Sequence, residues 1–170
     1  MVEFRIAKVS DAAILTETRR KAWDATYRGI YPDDMIDNYD SVWYSERDRQ
    51  RISDPEQKVY LLMDGDSCCG YLCVGSPAYG RYKDFALCLN ALYILPAYQG
   101  QGCGRQAFRL VAEECRRRGL EKFFCGCNAH NRKARNFYGH MGGHLGAAKL
   151  GHQNHAMDQV YFEFILSPEL

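Results

Sequence analysis

Gln99-Gly100-Gln101-Gly102-Cys103-Gly104 joins an apolar run to an amphipathic one, and its reading decides the fold. Upstream, Leu89 and Ala91 to Leu95 read as a buried strand that Pro96 ends; downstream, Arg105 to Arg118 carries apolar residues at helical spacing. Glycines in such a turn let the backbone approach a ligand closely. The free N–H groups of the helix's first turn, at its positive dipole end, favour an anion such as a phosphate. The same turn also serves as plain architecture, so other segments must decide between the two readings.

Residue identity excludes two common glycine loops. A dinucleotide fingerprint starting at Gly100 requires glycine at position 105, which is Arg105, and the P-loop spacing ending in Gly-Lys-Ser/Thr occurs nowhere. What remains is Gln-x-x-Gly-x-Gly, with Gln99, Gly102 and Gly104 as its fixed letters. A second segment, Asn-Arg-Lys-Ala-Arg-Asn-Phe-Tyr-Gly-His-Met-Gly from Asn131, places Ala134, Phe137, Tyr138 and Met141 on one helix face. Asn131 is a good N-cap there and Gly142 a good stop. A third, Ala22-Trp23-Asp24-Ala25-Thr26-Tyr27-Arg28-Gly29-Ile30-Tyr31-Pro32, sets Trp23 and Tyr27 four residues apart, where helical side chains meet.

In this order and separation the three segments resemble the GCN5-related N-acetyltransferase (GNAT) family. The loop is similar to the family's acyl-CoA pyrophosphate loop, and the Asn131 segment to its Asn-x-x-Ala-x-x-Phe-Tyr-x-x-x-Gly. The Trp23 segment looks like the Ala-Trp-x-x-x-Tyr-x-Gly-x-x-Pro of many bacterial members. The resemblance implies one GNAT-like acyltransferase domain over residues 1–170. Its fold would be mixed α/β, a central mixed sheet with a splayed parallel strand pair and helices on both faces. It implies acetyl-CoA as co-substrate and no metal. Gln99, Gly100, Gln101, Gly102, Cys103, Gly104 and Arg105 would then surround the pyrophosphate, Asn131 would contact the cofactor, and the backbone of Leu92, Tyr93 and Ile94 would pair with the pantetheine arm. Tyr138 would protonate the departing CoA thiolate, and Trp23, Tyr27 and Tyr31 would flank the acceptor cleft.

The sequence departs from the family pattern at the base. Many relatives carry a glutamate on one of the splayed strands, and the matching positions are Cys88 and Gly126. A thiol is a poor base at neutral pH. That leaves Asp24, Asp84, Tyr93 or His130 acting through water, or an acceptor that arrives partly deprotonated. Gly143 stands where phenylalanine is usual, which leaves the packing of the next strand open.

Composition agrees with a compact enzyme. A chain of 170 residues with 46% hydrophobic and 13% aromatic content builds one packed core. A net charge of +1 does not suggest a nucleic-acid or membrane surface, and no signal peptide or spanning run is seen, so a cytoplasmic location is expected. Monomer and homodimer both stay open. Without a secretory signal the eight cysteines read as small hydrophobes, and Cys125, Cys127 and His130 lack the paired spacing of a zinc site.

The pass along the chain predicts a strand over Val2 to Lys8 and a helix capped by Ser10 and running to Tyr27. Short helices follow over Pro32 to Tyr39 and Ser41 to Ile52, then a hairpin of Lys58 to Met63 and Cys68 to Ser76 around Asp64-Gly65-Asp66. Strands are expected over Phe85 to Leu95, Lys122 to Cys127, Gly143 to Leu150 and Met157 to Leu166, with a parallel crossover through the Arg105 helix. Arg105, Arg132 and Lys133 occupy first helical turns, where the dipole disfavours cations unless an anion binds. Asp24, Asp33, Asp34, Asp37 and Asp40 cluster near the acceptor segment; they are expected to attract a cationic amine, with a solvated acidic face as the alternative. The reading is N-acetyl transfer from acetyl-CoA to the primary amine of a small molecule or peptide. A longer acyl donor and a noncatalytic CoA-binding regulatory domain are the alternatives.

Overall fold

The Asp64-Gly65-Asp66 signal closes the predicted hairpin, with Gly65 at φ 58° supplying the left-handed residue such a turn requires. In the computed structural model, which describes residues 1–150 and 153–167, the hairpin strands are β2 (Gln57–Asp64) and β3 (Ser67–Gly75). They join β1 (Glu3–Ile6), β4 (Cys88–Ile94), β5 (Lys122–Asn128), β6 (His144–Lys149) and β7 (Gln159–Ile165). The seven form one sheet in the order β1-β2-β3-β4-β5-β7-β6, antiparallel except at β4-β5.

Helices cover both faces. α1 (Ala12–Tyr27), α2 (Asp33–Asp37) and α3 (Ser41–Ser53) precede the hairpin; α4 (Cys103–Arg117) makes the crossover from β4 to β5; α5 (Arg132–His140) follows β5. α4 buries Ala107, Phe108, Val111 and Cys115, one helical stripe, against Leu62, Leu72, Val74, Leu87 and Leu89. Each such fully buried aliphatic or aromatic side chain contributes about 1.5–3 kcal/mol. On the opposite face, Leu15 of α1 packs on Val59, Leu61, Tyr71 and Cys73.

The bounds of several expected elements shift, among them β1, confined to Glu3–Ile6, and β7, which starts at Gln159 because Met157 lies in a 3-10 turn over His155–Met157. Ser10 does not cap α1: a 3-10 turn over Val9–Asp11 intervenes, and the Asp11 carboxylate takes the Lys8 N–H at 2.7 Å while also binding Arg5. α2 is confined to Asp33–Asp37, shorter than the span from Pro32 to Tyr39. β4 starts at Cys88, because Phe85 closes a turn on the Tyr82 carbonyl and packs in a separate cluster with Cys88 and Phe124. Asn131 and Gly142 act as expected: the Asn131 side chain accepts from Ala134 N–H, and Gly142 adopts φ 87°. All eight cysteines are free, and among the described residues no helix is long and apolar enough to cross a membrane.

Candidate active site

The parallel ladder between β4 and β5 is two residues long. Cys88 pairs with Phe124 and Leu89 with Cys125, and past these the strands keep only their other partners, β3 and β7. The separation starts at an extra residue: the β3-β4 register slips opposite Asn90, between the Val74–Leu89 and Cys73–Ala91 pairs. A bulge bends its strand, which turns β4 away from β5. Asn90 is anchored in that position, donating to Gln57 and to the Ser76 carbonyl and accepting from Ala78 N–H. The backbone of Leu92, Tyr93 and Ile94 therefore lines an open gap.

At the end of β4 the glycine loop turns into α4. Gly100 (φ 75°) and Gly102 (φ 86°) hold left-handed conformations that other residues rarely adopt. The loop is held by its own glutamines, Gln99 donating to the Ile94 carbonyl at 2.8 Å and Gln101 to the Ala97 carbonyl at 2.7 Å. The first helical bond of α4 runs from Gln106 N–H to the Gly102 carbonyl, so the N–H groups of Cys103, Gly104 and Arg105 have no partner within the helix. Those donors and the exposed Arg105 side chain form a cradle for an anion, while the Cys103 thiol is buried in the core below. Gly104 serves packing: a Cβ there would lie 2.7 Å from the Phe137 ring. Its absence brings α4 and α5 together.

α5 carries Tyr138 to the gap. The ring is buried among Phe108, Phe137, Phe162 and Phe164. Its hydroxyl lies within electrostatic reach of Cys125, Cys127, Tyr93 and Cys88, which come from both splayed strands. Burial pushes the phenol well above its usual range, so it stays protonated. Burial likewise pushes the Cys127 thiol up to about 11.

The far side of the gap is aromatic. The Tyr27 and Tyr93 hydroxyls are 2.9 Å apart, Tyr31 stacks on Tyr27 at 4.5 Å, and Trp23 packs against both Tyr27 and Tyr31. Tyr93 stacks in turn on Tyr71. Behind this wall lies a charged pair that sequence reasoning missed: Arg19 binds both oxygens of Asp48, at 2.6 and 2.5 Å, and donates to the Tyr71 hydroxyl. Thr16 completes the shell of Asp48. The structure thus brings Leu92, Tyr93, Ile94, Tyr138, Tyr27 and Tyr31 around one gap, with Trp23 behind the tyrosines. Asn131 sits at the head of α5 as its cap.

A protein-family model described as "Acetyltransferase (GNAT) family" matches residues 18–142. The chain belongs to the GNAT acetyltransferase family. Solved GNAT-fold structures agree in architecture. One is the PaiA N-acetyltransferase from Thermoplasma acidophilum in complex with coenzyme A, with TM-score 0.78, 18% identity, and 97% of this chain and 99% of that chain covered. Another is an acetyltransferase from Thermus thermophilus, with TM-score 0.73, 23% identity and coverages of 98% and 97%. A third is YncA from Salmonella typhimurium with acetyl-CoA, with TM-score 0.65, 21% identity and coverages of 98% and 95%. Among curated proteins no relative matches.

Within this GNAT framework the base candidates are mostly engaged elsewhere. Asp24 pairs with Arg28, Asp84 with Lys122, and His130 Nε2 meets the His155 carbonyl. The Tyr93 phenol is pushed well up by burial and by its Tyr27 partner. Cys88 is buried and its thiol is also pushed up. The acidic cluster is partly paired within itself. Asp24, Asp33 and Asp37 all bind Arg28, Asp34 takes the Met35 N–H, and Asp40 caps α3 at Trp43 N–H. Gly143 is explained by the Phe164 ring, which would lie 2.6 Å from a Cβ at that position and fills the space of a side chain.

Proposed function

We propose that the chain is an N-acetyltransferase that moves the acetyl group of acetyl-CoA to a primary amine of a small molecule or peptide, and that its 170 residues form one acyltransferase domain. The carrying observation is the two-residue β4-β5 ladder, which leaves the edge of Leu92, Tyr93 and Ile94 open above the anion cradle of Gly102 to Arg105. The solved relatives with coenzyme A and with acetyl-CoA support this reading of the donor.

In this reading the cradle holds the pyrophosphate, the open edge of β4 pairs with the pantetheine amides, and Asn131 contacts the cofactor beside α5. A thioester has a good leaving group, so fixing an amine against its carbonyl supplies much of the rate. Trp23, Tyr27 and Tyr31 form the acceptor side, and Tyr138 gives its proton to the departing sulfur. The amine loses its own proton to water, because the carboxylates and imidazole considered as bases are engaged by other groups.

Release of free thiol from acetyl-CoA over a panel of amines, amino acids and peptides tests the reading. Gly102→Glu, which sets bulk and negative charge in the cradle, should abolish CoA binding by calorimetry while the protein stays folded. CoA binding without turnover of any acyl donor would assign a noncatalytic module instead. Turnover confined to longer acyl-CoA would revise the donor.

A further inference from the structure

Arg19 of α1 and Asp48 of α3 form an ion pair that solvent barely reaches, their side chains being 5% and 1% exposed. Taking both charges out of water is expensive, and apolar residues of similar volume often serve stability as well or better. Stability is therefore a weak reason for the pair. Its geometry supplies another. The guanidinium fork spans both oxygens of Asp48, Thr16 adds its hydroxyl to one of them, and the remaining Nε–H goes to the Tyr71 hydroxyl at 3.1 Å. A planar fork held at both prongs has one direction left for Nε, which a lysine could not reproduce.

Tyr71 is the residue opposite Tyr93 in the β3-β4 ladder, and the two rings stack at 5.3 Å. The Tyr93 hydroxyl in turn meets that of Tyr27 at 2.9 Å. Arg19, Trp23 and Tyr27 fall at i, i+4 and i+8 along one side of α1, so the same stripe touches β3 through Arg19 and β4 through Tyr27. Arg19 reaches the other part of the aromatic wall as well. Its guanidinium lies 5.4 Å from the centroid of Tyr44, which packs on Trp23 at 5.8 Å.

We infer that Arg19 and Asp48 are positioning residues for the acceptor side of the gap: by fixing Tyr71 they set the Tyr93 hydroxyl against Tyr27, and by packing on Tyr44 they set Trp23. Neither charge touches the acceptor or the reacting atoms. In a pair of phenols one hydroxyl donates to the other, so one O–H is left over, and the placement of Tyr93 decides where it points. What that O–H binds rests on the acyltransferase reading above; the placement itself does not.

The test replaces the whole pair. Arg19→Met with Asp48→Leu removes both charges at similar volume, so the thermal midpoint should hold or rise. Acetyl-CoA affinity by calorimetry should keep its wild-type value, because the glycine loop and the main chain of β4 are untouched. For the amine of the panel above with the highest turnover, KM should rise about tenfold, the worth of one hydrogen bond from a charged group, with kcat nearly unchanged. Tyr71→Phe cuts the link and leaves the ion pair, and it should raise the same KM by a smaller factor. In protein carrying tyrosine labelled with carbon-13 at Cζ, the Tyr27 and Tyr93 signals, assigned through Tyr27→Phe and Tyr93→Phe, should move in both variants. A double variant that keeps the wild-type KM and both signals overturns the inference. So does a joint loss of stability, CoA affinity and kcat, which would make the pair plain architecture. If the double variant does not fold, Tyr71→Phe decides, and an unmoved KM with unmoved signals overturns the inference. If no amine is acetylated, the signals decide: their movement supports the positioning role although the catalytic reading has failed, and their constancy overturns it.

Discussion

Tyr138→Phe removes one oxygen from the buried face of α5 and should lower turnover about 100-fold. The magnitude follows from a thiol already in the gap. Burial raises Cys127 from 9.0 to about 11, so ionising a thiol at this depth costs up to about 3 kcal/mol more than in water. A CoA thiolate expelled beside the same strand meets a similar penalty, and a proton delivered by Tyr138 removes it. That energy corresponds to about 10²-fold in rate, at the lower end of what a positioned acid contributes. Because burial holds the phenol well above its ordinary value, it remains a donor through the alkaline range and adds no descending limb to the rate near about pH 9. Phenylalanine fits the same aromatic surroundings, so stability should change by about 1 kcal/mol or less.

Stopped-flow thiol release gives kcat, and calorimetry gives the acetyl-CoA affinity. Turnover should fall with the affinity nearly unchanged. A thioester with a more acidic leaving thiol should suffer less from the substitution, since it has less need of an acid. Preserved kcat together with weakened CoA binding would refute the reasoning and make the hydroxyl a structural contact; an equal loss for both leaving groups would locate the acid elsewhere.

Gly104→Ala places a Cβ 2.7 Å from the Phe137 ring, and prying α4 from α5 should cost about 1–3 kcal/mol, recovered in part by adding Phe137→Leu and read by denaturant melts. Glu114 is buried and held below its ordinary pKa by Arg117, Lys58 and Arg118, so its stabilisation is present above the ordinary carboxylate range and is lost as pH falls through the lowered value. Glu114→Gln should cost about 2 kcal/mol at neutral pH and make the thermal midpoint less sensitive to acid; an unchanged acid slope would remove Glu114 from the account. With the carboxylate and imidazole candidates engaged elsewhere, kcat/KM should climb about tenfold per pH unit up to the acceptor amine's own pKa. A plateau near about pH 6–7 would reveal an enzymic base.

The sequence carried the fold wherever a local rule and the tertiary need coincide. Gly65, Asn131, Gly142 and the α4 stripe each encode their own geometry, and the glycine loop fixed the crossover from β4 to β5. The open gap was legible through family resemblance, but its cause was not. Asn90 interrupts an apolar run with a residue disfavoured in strands, and that signal was available; its three hydrogen bonds to distant segments were not. The same limit hid Arg19 with Asp48. Their meaning depends on which partners approach from other elements, and charge spacing along one helix cannot show that.

The absent glutamate at Cys88 and Gly126 is part of a packed arrangement. A Cβ at Gly126 would lie 3.2 Å from the Tyr161 ring, which stacks on Tyr82 at 4.9 Å, and Tyr82 stacks on Phe124 at 4.6 Å. Tyr82 is held in place by Glu163, which accepts its hydroxyl at 2.7 Å and also pairs with Lys83. A side chain at Gly126, an exposed position, would press on the Tyr161 ring, and a carboxylate at the buried Cys88 would enter an aromatic cluster with Phe85 and Phe124, where burial disfavours its charged form. The aromatic stack takes the place of the glutamate at both positions, and an amine deprotonated by water fits the stack and the engaged candidates around it.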